Sequence, residues 1–285
     1  MTDSAYGALY VVATPIGNLD DLSPRAARVL GEVSLVAAED TRHSARLLRH
    51  LGLACHLLSL HEHNEANRVA RIAEHLRAGQ DVALVSDAGT PLISDPGFIL
   101  VRELRRAGHR IVPIPGPCAL VAGLSAAGLP TDRFVFNGFL PAKRSARQAR
   151  LTALVERDET LVFYESPHRI RETLSDIAAV FGSRRVVLGR ELTKAFETFL
   201  DGDAESLLAV MDSDPDQARG EFVVMLAGAP AASEESRSEI DASVLLSALL
   251  AEGLGVKQTA SVAARVLGGT KKTWYGQAQA LKDGA

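Results

Sequence analysis

Thiols are scarce: Cys55 and Cys118 are the only two in 285 residues. They lie far apart and form no CxxC, so neither a disulfide framework nor a cysteine metal site is expected, and a reducing compartment fits. A large excess of one charge is also missing. The formal net charge of −4 speaks against a bulk nucleic-acid coat while leaving room for local basic stripes. No uninterrupted apolar run approaches the roughly 18 residues of a membrane span. Met1-Thr2-Asp3-Ser4 is neither basic nor followed by a signal-type apolar core, and the expectation is a soluble, cytoplasmic protein. There is no GxGxxG after a strand and no GxxxxGK[ST], so neither a dinucleotide fingerprint nor a P-loop is expected. There is no GxSxG elbow either, which lowers the case for a serine hydrolase.

What is present is alternation. Short apolar runs at Leu9–Ala13, Leu35–Ala38, His56–Leu60, Val82–Val85 and Arg110–Ile114 read as strands. Helical stripes lie between them. Ser23-Pro24 opens one that ends at Gly31, another runs from His43 to Leu51 before Gly52, and a third from Ala66 to Ala78 before Gly79. Strand and helix alternating five times predict a parallel sheet with helices on its faces. Polar or Gly/Pro-rich loops follow all five strands and would gather at one sheet edge.

The chain is organised around Leu84-Val85-Ser86-Asp87-Ala88-Gly89-Thr90-Pro91-Leu92-Ile93-Ser94-Asp95-Pro96-Gly97. A loop outside the carboxyl end of a parallel strand is where open α/β sheets bind ligands. Gly89 lets a ligand approach the backbone, and Thr90 offers a hydroxyl and an amide. Asp95 with Pro96 reads as an N-cap and first-turn proline for the helix that follows.

From Phe134 the pattern restarts. Strands are expected at 134–136, 160–164, 185–189, 198–200 and 221–226, with helices over 146–155 and 167–181, and a return near the end makes this second sheet mixed. Gly228 to Ser238 reads as a linker. Helices are expected over 244–250, 258–267 and 273–281. The domain reading is 1–117 and 118–229 as two α/β domains and 240–285 as a helical domain.

Several clusters could carry chemistry. His61-Glu62-His63 could offer metal ligands, but no further His/Cys cluster completes a set, and no metal is expected. Glu39-Asp40-Thr41-Arg42 puts acids and a base at a strand end, where helix capping is the competing explanation. Residues 133–155 contain Arg133, Lys143, Arg144, Arg147 and Arg150 and no acid, beside Phe134, Phe136 and Phe139. That is either a phosphate-contacting stripe with stacking platforms or a solvated helix face. In Tyr164-Glu165-Ser166-Pro167-His168-Arg169, Glu165 and His168 are acid–base candidates, or Ser166 and Glu165 simply cap a helix. Residues 253–282 again lack acids, carry Lys257, Arg265, Lys271, Lys272 and Lys282, and resemble a helix-turn-helix unit with Trp274 and Tyr275 in its last helix.

Taken in order, Thr14-Pro15-Ile16-Gly17-Asn18-Leu19, Ala38-Glu39-Asp40-Thr41-Arg42, His61-Glu62-His63-Asn64-Glu65, Ser86-Asp87-Ala88-Gly89-Thr90-Pro91, Pro115-Gly116-Pro117-Cys118-Ala119, Gly138-Phe139-Leu140-Pro141, Tyr164-Glu165-Ser166-Pro167-His168-Arg169 and Arg190-Glu191-Leu192-Thr193-Lys194 resemble one family. It is the small-subunit ribosomal RNA methyltransferase I family of cytidine 2′-O-methyltransferases, within the tetrapyrrole methylase superfamily. The resemblance covers residues 8–227, and the tail resembles the family's C-terminal helix-turn-helix domain. It implies two α/β domains, a parallel sheet and then a mixed one, plus a small helical domain. It implies S-adenosylmethionine as methyl donor, held between the α/β domains by Pro15, Ala88, Gly89, Thr90, Ile93, Cys118, Ala119, Tyr164 and Glu165. It also implies a homodimer, with small-subunit ribosomal RNA in the 30S subunit as partner. Asp87, Glu165 and His168 are the candidate bases. Arg42, His61, Asn64, Lys143, Arg144, Arg169, Lys271 and Lys272 are the candidate RNA contacts. A tetrapyrrole or diphthine-type methylase and a non-enzymatic nucleic-acid-binding regulator are the competing functions; the basic tail and the acid-free stripe favour RNA.

Overall fold

The computed structural model describes residues 6–61, 64–230 and 242–283. Glu62, His63 and most of the expected linker lie outside the described residues. The chain divides into two compact units, Met1–Gly228 and Ala229–Ala285, here called the body and the tail.

The body's first half follows the expected alternation: β1 (Ala8–Val12), α1 (Pro24–Glu32), β2 (Leu35–Ala38), α2 (Thr41–His50), β3 (His56–Ser59), α3 (Glu65–Arg77), β4 (Val82–Val85), α4 (Phe98–Arg106) and β5 (Arg110–Ile114). The strands form one parallel sheet in the order β3-β2-β4-β1-β5. Every residue of β2 and β4 is buried, as continuous apolar strands covered on both faces must be. Pro113 cannot donate a ladder hydrogen bond, and it sits in β5, at the sheet edge where that loss is tolerated.

The second half contains α5 (Ala119–Ala126), β6 (Phe134–Phe139), α6 (Arg144–Thr152), β7 (Thr160–Glu165), α7 (Ile170–Phe181), β8 (Arg185–Arg190), β9 (Thr198–Asp203), α8 (Ala204–Ser213) and β10 (Phe222–Leu226). Its sheet runs β6-β7-β10-β8-β9. β6 and β7 are parallel, and β10 inserts antiparallel between β7 and β8, which makes the sheet mixed as expected. One face of this sheet is covered by α5, whose Leu120 and Leu124 join Val162, Val187, Val223 and Met225 in an apolar cluster. Gly123 allows that approach, since a Cβ there would stand 3.1 Å from Val223 Cγ1 and 3.3 Å from Met225 Sδ.

Several boundaries differ from expectation. Gly31 does not end α1; it lies inside the helix, which stops at Glu32 with Val33 as C-cap. α6 begins at Arg144 rather than 146, and α7 at Ile170 rather than 167. Asp95-Pro96 does not cap α4. Leu92 and Ser94 take positive φ (73° and 67°), and Gly97 follows at 127°, so the chain turns twice more before the helix starts. Gly97 has no side chain to cap with. The missing acceptor comes from buried Glu65, whose Oε1 accepts the Leu100 N–H at 2.7 Å. Asp95 is thereby left available for another role.

The tail holds α9 (Ala242–Ala251), α10 (Val256–Val266) and α11 (Lys271–Asp283), longer than the expected spans. Leu246, Val256, Ala263 and Ala278 form its core, with Leu250, Leu267, Trp274 and Leu281 packed around them. Gly268 and Gly269, both at φ 75°, turn the chain between α10 and α11. Among the described residues no helix is long and apolar enough to cross a membrane.

Candidate active site

The carboxyl ends of β1, β4 and β5 lie side by side, and their loops are stitched together by hydrogen bonds. Thr14 and Gly89 exchange backbone bonds of 2.9 and 3.0 Å, and the Thr90 hydroxyl donates to the Pro117 carbonyl at 2.9 Å. Gly89 sits at φ 80°, where a side chain is strained, and a Cβ there would stand 3.2 Å from Ile16 Cγ2. These loops form one wall of a cavity of about 330 Å³. Ile16, Ala88, Gly89, Thr90, Ile93, Ser94, Asp95, Cys118 and Ala119 line it from the first sheet's edge. The second sheet closes it with the end of β7 (Tyr164, Glu165), the end of β8 (Gly189, then Leu192 and Lys194) and the start of β10 (Glu221, Phe222, Val223).

The two walls meet at two glycines. A Cβ at Gly17 would collide with the Lys194 side chain, and one at Gly138 would stand 3.2 Å from Ser94 Oγ. Gly138 itself lies where the β6–β7 register shifts, a bulge that bends β6. All four non-glycine residues at positive φ among the described residues belong to the loops meeting here: Leu92 and Ser94 after β4, Glu191 and Thr193 after β8. Strained backbone concentrates at ligand sites because surrounding contacts must hold it there.

Tyr164 ties the halves together. Its hydroxyl accepts the Leu120 N–H at 3.1 Å and so caps α5, whose N-cap residue Cys118 makes no side-chain cap. Its ring meets Phe136 and Phe139 edge-on at 4.9 and 5.8 Å. Burial holds its phenol well above the usual value. Phe139 is 55% exposed at the cavity.

The carboxylates of the cavity differ sharply. Glu165 is buried and committed: Oε1 accepts the Ser166 N–H at 2.8 Å, Oε2 accepts the Thr173 hydroxyl at 2.7 Å, and Arg169 Nη2 lies 3.4 Å away. Glu221 pairs with Lys194 at 2.9 Å, which also holds Glu191 at 2.8 Å. Burial works against the Lys194 charge, but its two acids outweigh that and raise its pKa. Asp95 has no such partner. Burial, then the neighbouring charge of Glu39 and, more weakly, Asp87, push its carboxyl up to about 7 against a Ser86 hydrogen bond that favours the charged form.

Of the residues expected at the donor site, Ala88, Gly89, Thr90, Ile93, Cys118, Ala119, Tyr164 and Glu165 share this cavity. Pro15 does not. With Asp87 it lines a second cavity of about 230 Å³, together with His43, Arg46 and His50 of α2 and the buried, unpartnered Ser44 hydroxyl. Asp87 Oδ1 accepts the Asp40 N–H at 3.0 Å. His168 is exposed on the turn before α7 and lines neither cavity. Asp95 was missed because Asp-Pro before a helical stripe mimics a cap. Ile16, Phe139 and Lys194 stood inside the motifs but carried no separate signal.

The expected RNA contacts scatter. Arg42 is exposed and holds Asp40 with a bidentate pair at 2.7 Å. The Asn64 side chain bonds the His61 ring at 2.9 Å and accepts the His61 N–H. Lys143 is exposed at the N-cap of α6. Arg144 Nε reaches Asp176 at 3.1 Å, and Arg169 donates to the Leu140 carbonyl at 2.6 Å. Lys271 and Lys272 are exposed on the first turn of α11. The acid-free stripe is not a uniform cationic face. Arg147 is fully buried against Asp176 (2.7 Å) and Glu172 (3.1 Å), and Arg133 pairs with Asp158. Trp274 packs in the tail core and donates to the Gly268 carbonyl at 2.6 Å, so it is not a free stacking platform. Among the described residues no group of three or more His, Cys, Asp or Glu is placed to hold a metal.

The family described as Tetrapyrrole (Corrin/Porphyrin) Methylases matches residues 8–208, and the RsmI C-terminal HTH domain matches 237–282. The chain is 55% identical over 273 residues to a protein of Pseudomonas aeruginosa named Ribosomal RNA small subunit methyltransferase I, covering 95% of this chain and 96% of that one. A protein of the same name from Escherichia coli O157:H7 is 49% identical, covering 96% and 95%. In fold, the chain is similar to the uroporphyrin-III-C-methyltransferase of Thermus thermophilus (TM-score 0.55, 23% identity, 78% of this chain and 94% of that one). It is likewise similar to the methyltransferase CobJ (TM-score 0.59, 22% identity, 78% and 95%).

Proposed function

The chain belongs to the ribosomal RNA small subunit methyltransferase I family of the tetrapyrrole methylases, and from that premise we propose that it methylates a cytidine ribose 2′-hydroxyl in small-subunit ribosomal RNA, using S-adenosylmethionine. The observation that carries this is the cavity at the facing sheet edges, built from the loops where the ordered motifs lie. Its residues suit the donor. Gly89 and Gly189 line it without side chains of their own, and Ile16, Ile93, Leu192 and Val223 offer apolar walls for an adenosyl group.

When bound, S-adenosylmethionine supplies a methyl group already activated by its sulfonium. The protein's work is therefore mainly alignment, and holding reactants in one geometry can contribute several kcal/mol to the rate. Thr90, tied to Pro117, fixes the β4 loop against the β5 loop. Tyr164 fixes α5, and with it Cys118 and Ala119, against the second sheet. Glu165 holds the turn into α7 through Ser166, Thr173 and Arg169, a positioning role rather than a proton-accepting one.

The tail's basic first turn of α11 is proposed to contact RNA phosphates, the enzyme to act as a homodimer in the cytoplasm, and the substrate to be RNA within the 30S subunit. The test is incubation with methyl-labelled donor and either 30S subunits or naked RNA, followed by nucleoside digestion and mass spectrometry. The expected product is 2′-O-methylcytidine. Label on a tetrapyrrole acceptor and none on RNA overturns the reading.

A further inference from the structure

The second cavity of the body, about 230 Å³, takes no part in the donor site described above, yet it shares two strand-end loops with it. After β1, Thr14 and Pro15 line the second cavity and Ile16 lines the first. After β4, Ser86 and Asp87 line the second, and Ala88 and Gly89 the first. Where the loops cross, the backbone pair between Thr14 and Gly89 makes the partition. A ligand in the second cavity therefore lies one loop's thickness from the donor.

The other side is α2. His43, Arg46, Leu47 and His50 stand at spacings of three, four and seven, so they share the helix face that lines the cavity. Burial grades this lining. Thr14, Ser44 and Ser86 are buried, whereas His43, Arg46 and His50 are exposed. Ser44 is 4% exposed, and its hydroxyl has no hydrogen-bond partner. A buried hydroxyl left unpaired costs stability and contributes nothing to the fold in return. Asp87 spends Oδ1 on the Asp40 N–H, and among the described residues its Oδ2 accepts no hydrogen bond. Residues 41–50 contain no acid, and among the described residues neither Arg46 nor His50 stands in an ion pair.

Three chemistries thus meet in one small space. Pro15, Leu19 and Leu47 offer apolar surface to the faces of a ring. The Ser44 hydroxyl and the open Asp87 oxygen offer a donor and acceptors to its polar edge. The cations at the mouth suit a phosphate. Pockets for drug-sized ligands begin at about 300 Å³, so this one suits a smaller unit, a single base. RNA is read in this way, by bases splayed out of the stack and held by their faces and edges while phosphates are gripped outside. We propose that the second cavity is a subsite for one nucleotide of the acceptor RNA, its base between the β1 loop and α2, its exocyclic amino group toward Asp87 and its phosphate toward Arg46. The inference rests on the RNA methylation proposed above. The site would hold the acceptor beside the donor without touching the donor.

The test compares the full-length wild type with Ser44→Ala, Arg46→Ala and, as a control, Arg49→Ala, which removes another exposed cation of α2 that lines neither cavity. The acceptor is the 30S subunit or naked small-subunit RNA, whichever the wild type methylates. Ser44→Ala should melt no lower than the wild type, because it removes a hydroxyl that bonds nothing in the fold. S-adenosylmethionine affinity by calorimetry should be unchanged in all three variants. The kcat/KM for RNA should fall about three- to tenfold in Ser44→Ala and about tenfold in Arg46→Ala, and stay near the wild-type value in Arg49→Ala. Equal losses in Arg46→Ala and Arg49→Ala overturn the proposal in favour of a diffuse basic helix. A Ser44→Ala protein with wild-type efficiency on RNA overturns it as well. So does a loss of donor affinity in Ser44→Ala or Arg46→Ala, which would make the cavity part of the donor site. Wild-type protein that binds the donor but labels no RNA overturns the RNA reading itself, a result seen without any variant and so distinguishable from the others.

Discussion

The two halves of the body contribute to one cavity by different means. The first half shapes it with backbone: Gly89 at φ 80°, Leu92 and Ser94 at positive φ, and the paired amides of Thr14 and Gly89. The second half shapes it with side chains held by partners: Tyr164 on Leu120, Glu165 on Ser166, Thr173 and Arg169, and Lys194 between Glu191 and Glu221. The cause lies in topology. A parallel sheet delivers every connection at the carboxyl edge as a loop, so loops do the shaping. A mixed sheet brings strand bodies to the same edge, because β10 enters where β7 and β8 end, pairing Val223 with Tyr164 and with Gly189. Adding atoms should therefore damage the first wall, and removing partners should damage the second.

The largest effect is expected in the second wall. Glu165→Ala removes a buried acceptor of two hydrogen bonds and the partner of half-buried Arg169. It should cost about 3 kcal/mol of stability, read as a lower denaturant midpoint at unchanged slope. Next comes Gly89→Val, which adds a branched side chain at positive φ, 3.2 Å from Ile16 Cγ2 at its Cβ. Strain of about 1–3 kcal/mol should appear as at least a tenfold loss of donor affinity by calorimetry, beyond any loss of stability. If Gly89→Val lowers stability as much as Glu165→Ala and leaves affinity alone, the contrast between the walls is wrong.

Tyr164→Phe keeps the ring and removes only the cap. A loss of about 1 kcal/mol in thermal unfolding is expected, because the Leu120 N–H is left without its acceptor. Asp95→Asn sharpens the contrast through pH. In the folded protein Asp95 binds a proton up to about pH 7, whereas the unfolded chain releases it near 3.8, as an ordinary aspartate does. Stability therefore falls as pH rises through that window and levels off above it. The variant should lack this fall and be the more stable protein above pH 7, as thermal melts across pH 4–8 would show. The smallest effect should come from outside both walls. Lys271→Ala with Lys272→Ala changes only exposed cations on α11. Donor affinity should be untouched, while the salt dependence of RNA binding flattens as fewer counterions are released. An unchanged slope and affinity would remove these lysines from the RNA interface.

The strands and helices, and most of the cavity, were legible in the sequence because they depend on local signals. Buried strands such as β2 and β4 read as continuous apolar runs, Ser23 followed by Pro24 announces a helix start, and Gly52 and Gly79 mark helix ends at φ 70° and 76°. The loops after those strands then had to share one edge, which brought Ala88–Thr90 and Cys118–Ala119 together. What the sequence could not decide was which charges meet. Residues 133–155 contain no acid, yet Arg147 is buried against Asp176, 29 positions away, and α4 is capped by Glu65, 35 positions from the amide it holds. Asp-Pro before a helical stripe pointed to a cap, and only the two extra turns at Leu92 and Ser94 show Asp95 facing the cavity instead. Periodicity and capping are set by neighbours within a few residues along the chain. Ion pairing, and the exposure of a carboxylate to other acids, are set by distance in space, and that is fixed only when the sheets close on each other.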